Sequence, residues 1–116
     1  MLNLSWIKCD EDHQWCPLES VNLSNVTAEG VYIIWHDGNP SQVMRIGQGD
    51  VAERLEEHRN NPEILAYRKM GTLRVTWAAV SAVQRDGVER YLADQWPPLV
   101  GDVFPAVQPI AVNSPW

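Results

Sequence analysis

Val31-Tyr32-Ile33-Ile34-Trp35, followed by His36-Asp37-Gly38-Asn39-Pro40 and then by Gln42-Val43-Met44-Arg45-Ile46, is the stretch whose reading decides the fold. The first five residues are β-branched or aromatic throughout, the composition of a buried strand. The next five are turn formers. Gln42 to Ile46 then returns as a second strand, and two short strands across such a loop make a hairpin the simplest topology. Immediately after it, Gly47-Gln48-Gly49-Asp50 ends the strand and prepares a helix. Asp50 suits an N-cap, with Glu53 three residues on in a capping-box-like spacing. Val51, Leu55 and the stem of His58 recur at helical spacing, so a helix is expected over residues 51–61, stopped by Asn60-Asn61-Pro62.

Working outward, residues 63–70 add a further helical turn, and Thr72 to Val80 forms a third strand. A second helix is expected to open at Asp86-Gly87, with Val88, Tyr91, Leu92 and Gln95 on one face, and to end at Pro97-Pro98. On the N-terminal side, Leu4-Ser5-Trp6-Ile7-Lys8 reads as an additional strand and residues 10–29 as a loop. The fold class is therefore α/β (α+β), a small three-stranded antiparallel sheet flanked by helices with an extra N-terminal strand. One domain spans residues 1–116. It comprises an N-terminal extension (1–29), a core (30–100) and an extended tail (101–116) packed back through Phe104, Val107 and Ile110. Trp35 and Trp77 are expected in the core; Trp6, Trp15 and Trp116 are expected to pin the ends.

The bulk numbers bound this reading. A chain of 116 residues, 45% hydrophobic and 21% charged, supports one modest core. No apolar run nears the roughly 20 residues of a membrane-spanning helix, and Met1 to Ser5 lacks the pattern of a secretory signal, so a cytoplasmic location is expected. In that compartment Cys9 and Cys16 are expected as unliganded thiols. A redox pair, or a metal site shared with His13, is the alternative, although the spacing matches no standard zinc finger. The net charge of −6 weighs against an unaided nucleic-acid binder. It is unevenly spread, however. Residues 1–37 hold six acids and one base, whereas residues 38–116 hold nine acids and eight bases and are close to neutral.

Several chemically useful groups fall on these elements in order: Tyr32 on the first strand, Arg45 on the second, Arg54 and His58 one turn apart on the helix, and Glu89 on the later helix. A phenol beside positive charge suits water activation. Guanidiniums suit bidentate phosphate contacts. A lone carboxylate suits a hard cation that keeps its waters and takes substrate oxygens as further ligands. Taken singly, each is ordinary: a strand aromatic, a surface pair, an acid at a helix start.

As an ordered set they resemble the GIY-YIG nuclease family. Gly30-Val31-Tyr32 stands at the first triplet, with Val for Ile, and Arg45-Ile46-Gly47 stands at the second, with Arg for Tyr. Arg54, His58 and Glu89 match the family's helix arginine, histidine and metal-binding glutamate. The family's later Asn is absent, since Pro98-Leu99 continues as Val100-Gly101-Asp102. The resemblance implies an endonuclease hydrolysing a nucleic-acid phosphodiester, DNA in first place, with catalytic residues Tyr32, Arg45, Arg54, His58 and Glu89. It also implies Mg²⁺ or Mn²⁺ on Glu89, and specificity supplied by a protein partner or a homo-oligomer. The alternative is a catalytically inactive module of the same fold that binds nucleic acid or protein.

Overall fold

The structure, a computed structural model, describes residues 1–9, 14–101 and 104–116. It is a mixed α/β fold. In chain order, β1 (Cys16–Pro17), β2 (Glu29–His36) and β3 (Gln42–Asp50) lead into α1 (Val51–Arg59), α2 (Pro62–Leu65) and a 3-10 turn (Ala66–Lys69). β4 (Leu73–Ala79) and α3 (Ala82–Gln95) follow. The strands form an antiparallel sheet in the order β1-β4-β2-β3. The expected hairpin is β2–β3, with a register shift at Ile34/Trp35.

Alternation along β2 divides the core between the two faces of the sheet. Tyr32 and Ile34 pack with Val51 and Leu55 of α1 and with Ile64 of α2. Val31, Ile33 and Trp35 pack with Val88, Leu92 and Ala93 of α3. Helices thus cover both faces, and β2, central and buried from Gly30 to His36, is apolar on both sides.

Three expectations about structure are corrected, and two side-chain placements with them. The fourth strand is β1, and residues 4–8 form none. That segment is instead held by one backbone bond, Ile7 N donating to Trp77 O at 3.0 Å, and by side chains. Asn113 Nδ2 donates to Leu4 O at 3.0 Å, Leu4 N donates to Asn113 Oδ1 at 2.6 Å, and Thr76 Oγ1 donates to Ile7 O at 2.8 Å. α3 begins five residues ahead of Gly87. That glycine marks a crossing rather than a helix start, because Ile110 N donates to Gly87 O at 2.9 Å and a Cβ there would strike the Ile110 side chain. Gln95, expected on the buried face of α3, is exposed. In the tail, Phe104 and Ile110 pack against the core as expected, while Val107 stays exposed.

The third correction concerns the thiols: Cys9 and Cys16 form a disulfide, with Cα atoms 4.9 Å apart. Cys9 N also donates to Gln14 O at 2.9 Å, two residues ahead of β1. The expectation of free thiols rested on compartment, not on geometry. His13 lies outside the described residues.

The loop so closed is short, so chain-entropy arguments give about 2.5 kcal/mol for the cross-link. Cys9→Ser should lower the urea midpoint accordingly. Reductant should do the same to the wild type and nothing further to the variant.

Candidate active site at the open edge of the sheet

β3 is an edge strand, and among the described residues no strand pairs with its outer side. Leu99 N and Val100 N donate to Val43 O and Met44 O, covering only its first part. Beyond that point, residues of β2, β3, α1 and α3 surround a cavity of about 250 Å³. Tyr32, Arg45, Arg54, His58 and Glu89 all line it, together with Gln48 and Glu57. The five residues singled out in the sequence therefore meet in one place.

The register explains how. Tyr32 pairs with Gly47 and Ile34 with Arg45, so Tyr32 and Arg45 share the face covered by α1. Gly47 is required there, because a Cβ would land on the Tyr32 hydroxyl. Gln48, paired with Val31, points to the other face, towards α3. The site thus wraps around the strand edge and draws on both layers of helix. α1 starts at once after β3 because Asp50 Oδ1 accepts from Glu53 N at 3.2 Å. Its pitch sets Arg54 near the open mouth and His58 one turn deeper.

At the centre, the Tyr32 hydroxyl lies 2.6 Å from His58 Nε2, with ring centroids 5.3 Å apart. Burial pushes the Tyr32 phenol above its ordinary value, against the pull of the Arg45 and Arg54 guanidiniums. The guanidiniums act in the lowering sense, but desolvation outweighs them. Burial, with Arg45 and Arg54 acting in the same sense, lowers His58 to about 4, although Glu57 opposes it. The imidazole is neutral at pH 7. The phenol is much the more acidic of the two candidate donors, so we assign the shared proton to Tyr32, which donates to His58 Nε2.

On the α3 side, Gln48 Nε2 donates both to Asp86 Oδ1 at 2.7 Å and to Glu89 Oε2 at 2.8 Å. Glu89 is 8% exposed. Burial raises its pKa, the Gln48 bond lowers it, the nearby Asp86 raises it further, and Arg45 and Arg54 oppose the rise. Among the described residues no three metal-ligating side chains come together. The donors present, Glu89 with Asp86 across a shared amide, suit a Mg²⁺-like cation that keeps its waters, and do not suit a cation held by protein alone.

The guanidiniums differ. Arg54 is half-exposed and held only by a 3.5 Å contact to Glu57, weak enough to yield to a ligand. Arg45 is half-buried and packs close to Gly101, whose φ of +90° favours glycine. Its Nε is buried with no hydrogen-bond partner, a costly arrangement unless an anion visits. Sequence reasoning missed Gln48 and Asp86 as members of the site. The signals were present: strand alternation sends Gln48 to the α3 face, and Asp86 precedes Glu89 by one helical turn.

No protein-family model, curated protein or solved structure matches this chain.

The depressed His58 sets a pH dependence. Between its unfolded value near 6.5 and its folded value of about 4, only the unfolded chain takes up this proton, so stability falls as pH falls through that window. Its size is at most about 3 kcal/mol. Glu89, raised in the fold, acts in the opposite sense. The difference between wild type and His58→Gln isolates the imidazole: urea midpoints of the wild type should drop more steeply from pH 7 to pH 4 than those of the variant.

Proposed function

We propose that this chain is a GIY-YIG-type endonuclease that hydrolyses a nucleic-acid phosphodiester, DNA in first place. One observation carries the reading: the phenol, imidazole, two guanidiniums and carboxylate selected from the sequence line a single cavity, with the phenol already hydrogen-bonded to a neutral imidazole.

The chemistry follows from those protonation states. Tyr32 is too weak an acid to work as a free phenolate. Its oxygen accepts a proton from water while its own proton passes to His58 Nε2, so the pair acts as one base. The water oxygen bonds to phosphorus, the P–O bond to the leaving nucleoside breaks, and its oxygen is protonated by solvent. Arg54 at the mouth and Arg45 beside Gly101 hold the non-bridging oxygens and stabilise their growing charge. A phosphate between them also offsets the two positive charges that depress His58, so substrate makes the base stronger as it arrives. Glu89, with Asp86 nearby, would hold Mg²⁺ or Mn²⁺, which supplies charge neutralisation at the leaving oxygen.

Target choice on this reading falls to a protein partner or a second copy of the chain. The location inferred with it is the cytoplasm, where such substrates lie. Among the described residues no helix is long and apolar enough to cross a membrane. A disulfide is uncommon in that compartment, and the exposed Cys9 leaves this one open to thiol exchange, so the bridge weighs against that location.

Nicking of plasmid, branched DNA and structured RNA at low salt with Mg²⁺ or Mn²⁺ tests the proposal. Tyr32→Phe and Arg54→Ala should each lose about 10²-fold or more in rate. Glu89→Ala should be inactive, and cleavage persisting in that variant would sink the assignment. The second reading, an inactive binding module, is favoured by one feature, Arg45 where the family carries its second tyrosine. It predicts binding that is weakened by Arg54→Ala, with no cleavage under any metal.

A further inference from the structure

Four of the six tryptophans gather at the other end of β3. Trp15 precedes β1, Trp35 lies in β2, Trp96 closes α3, and Trp116 comes from the tail. Trp116 touches the other three, with ring centroids 4.8 Å from Trp35, 5.5 Å from Trp96 and 6.3 Å from Trp15. Together with Ser41 and Gln42 they line a cavity of about 260 Å³. Packing alone does not account for it, because a core of this kind would close around its indoles, whereas Trp116 remains 51% exposed. A cavity walled by four indoles, with one of them open to solvent, offers a planar ligand a place to stack.

The polar rim narrows the ligand. Gly38 N donates to His36 Nδ1 at 3.2 Å, so the imidazole proton resides on Nε2. Nε2 lies 3.0 Å from Gln42 Oε1 and donates to it. His36 shares the α1 face of the sheet with Tyr32 and Ile34, so that bond holds the Gln42 amide on the far face, and the donor left on the cavity side is the Ser41 hydroxyl. A π-face next to a hydroxyl donor suits stacking of, and an edge contact to, an unpaired base. A quaternary ammonium, the other ligand of aromatic cages, fits less well. Lys8 Nζ already stands 4.5 Å from the Trp15 ring centroid; that charge repels a second cation and attracts a phosphate.

Position supplies the last argument. Gln42 and Val43 line this cavity, while Arg45, Gly47 and Gln48 line the candidate active site on the same strand. Two to six residues at about 3.4 Å each separate them by roughly 7–20 Å. That is about two to six steps at the axial rise of a nucleic-acid strand.

We propose that the pocket of Trp15, Trp35, Trp96 and Trp116 takes one unpaired nucleobase, so that the enzyme prefers substrates with an extrahelical base a few nucleotides from the cleaved phosphate. This rests on the nuclease reading above.

The test uses the full chain in EDTA, with two labelled DNA duplexes that differ only by a single unpaired 2-aminopurine, read by anisotropy and by 2-aminopurine quenching. The wild type should bind the bulged duplex about tenfold more tightly and quench its base. Trp116→Ala should lose both effects while binding the paired duplex within twofold of wild type. Trp116→Phe, which retains a ring, should keep most of the preference. Equal binding of both duplexes by the wild type overturns this inference and leaves the nuclease reading standing. Binding of neither duplex overturns both. A preference that survives in Trp116→Ala removes the base from this pocket. Tryptophan quenching by tetramethylammonium but not by the bulged duplex replaces the base with a cation.

Discussion

The Tyr32 phenol reaches His58 only because the residue beside it on β3 is a glycine, and the rest of the site is arranged around that crossing. Tyr32 is on the central strand, buried on both faces, and cannot move without disturbing both halves of the core. Its ring therefore has one way out, across Gly47 towards α1. α1 in turn is fixed by the immediate passage of β3 into the Asp50 cap, which sets the rotation of the helix and hence the depth of His58. A side chain at 47, or a linker between strand and helix, would break the 2.6 Å contact without touching either partner.

Burial and charge act on the two rings in different ways. Desolvation favours the neutral form of each, raising the phenol and lowering the imidazole. The two guanidiniums work against the first shift and with the second. Burial therefore makes the pair a proton donor and acceptor already matched to each other, while the arginines leave its basicity responsive to an anion. Arg45, unpaired at Nε and wedged by Gly101, is the less adaptable of the two. A guanidinium held in that place supplies positive charge where the resembled family has a second phenol, so any proton transfer falls on Tyr32 and His58 alone.

What was legible in the sequence follows the range of the interactions involved. The β2–β3 hairpin, α1 and its cap are set by neighbours in the chain, and turn residues and periodicity place them, although β3 runs four residues past Ile46, to Asp50. The five candidate site residues were legible as an ordered set through the family resemblance, while their meeting in one cavity is a property of the register. α3 was misjudged at its start because Gly87 looks like a terminus when the tail that crosses it, 23 residues further on, is not in view. Residues 4–8 carry a strand's composition, yet their partners are the Asn113 amide, the Thr76 hydroxyl and a single β4 carbonyl, that of Trp77, all far away in sequence. The disulfide, too, depends on the approach of Cys9 to Cys16, which composition does not signal. Gln48 was passed over because a glycine on each side made it look like part of a turn, whereas the strand continues through Asp50.

The unpaired edge of β3 joins these observations. An exposed edge strand invites pairing with another chain, and proteins usually blunt it with charge, irregularity or cover. Here all three are present. Leu99 and Val100 cover its first part, the ladder shifts register near Arg45, and Arg45 itself and Gly49, at φ +122°, interrupt the rest. The features that keep the edge from zipping to a neighbour are also those that hold it open beside the cavity. A strand added along this edge would bury Arg45 and close the way to Tyr32, so the edge must stay unpaired for the site to be reached. Any second copy that contributes specificity must therefore dock elsewhere than by extending the sheet at β3.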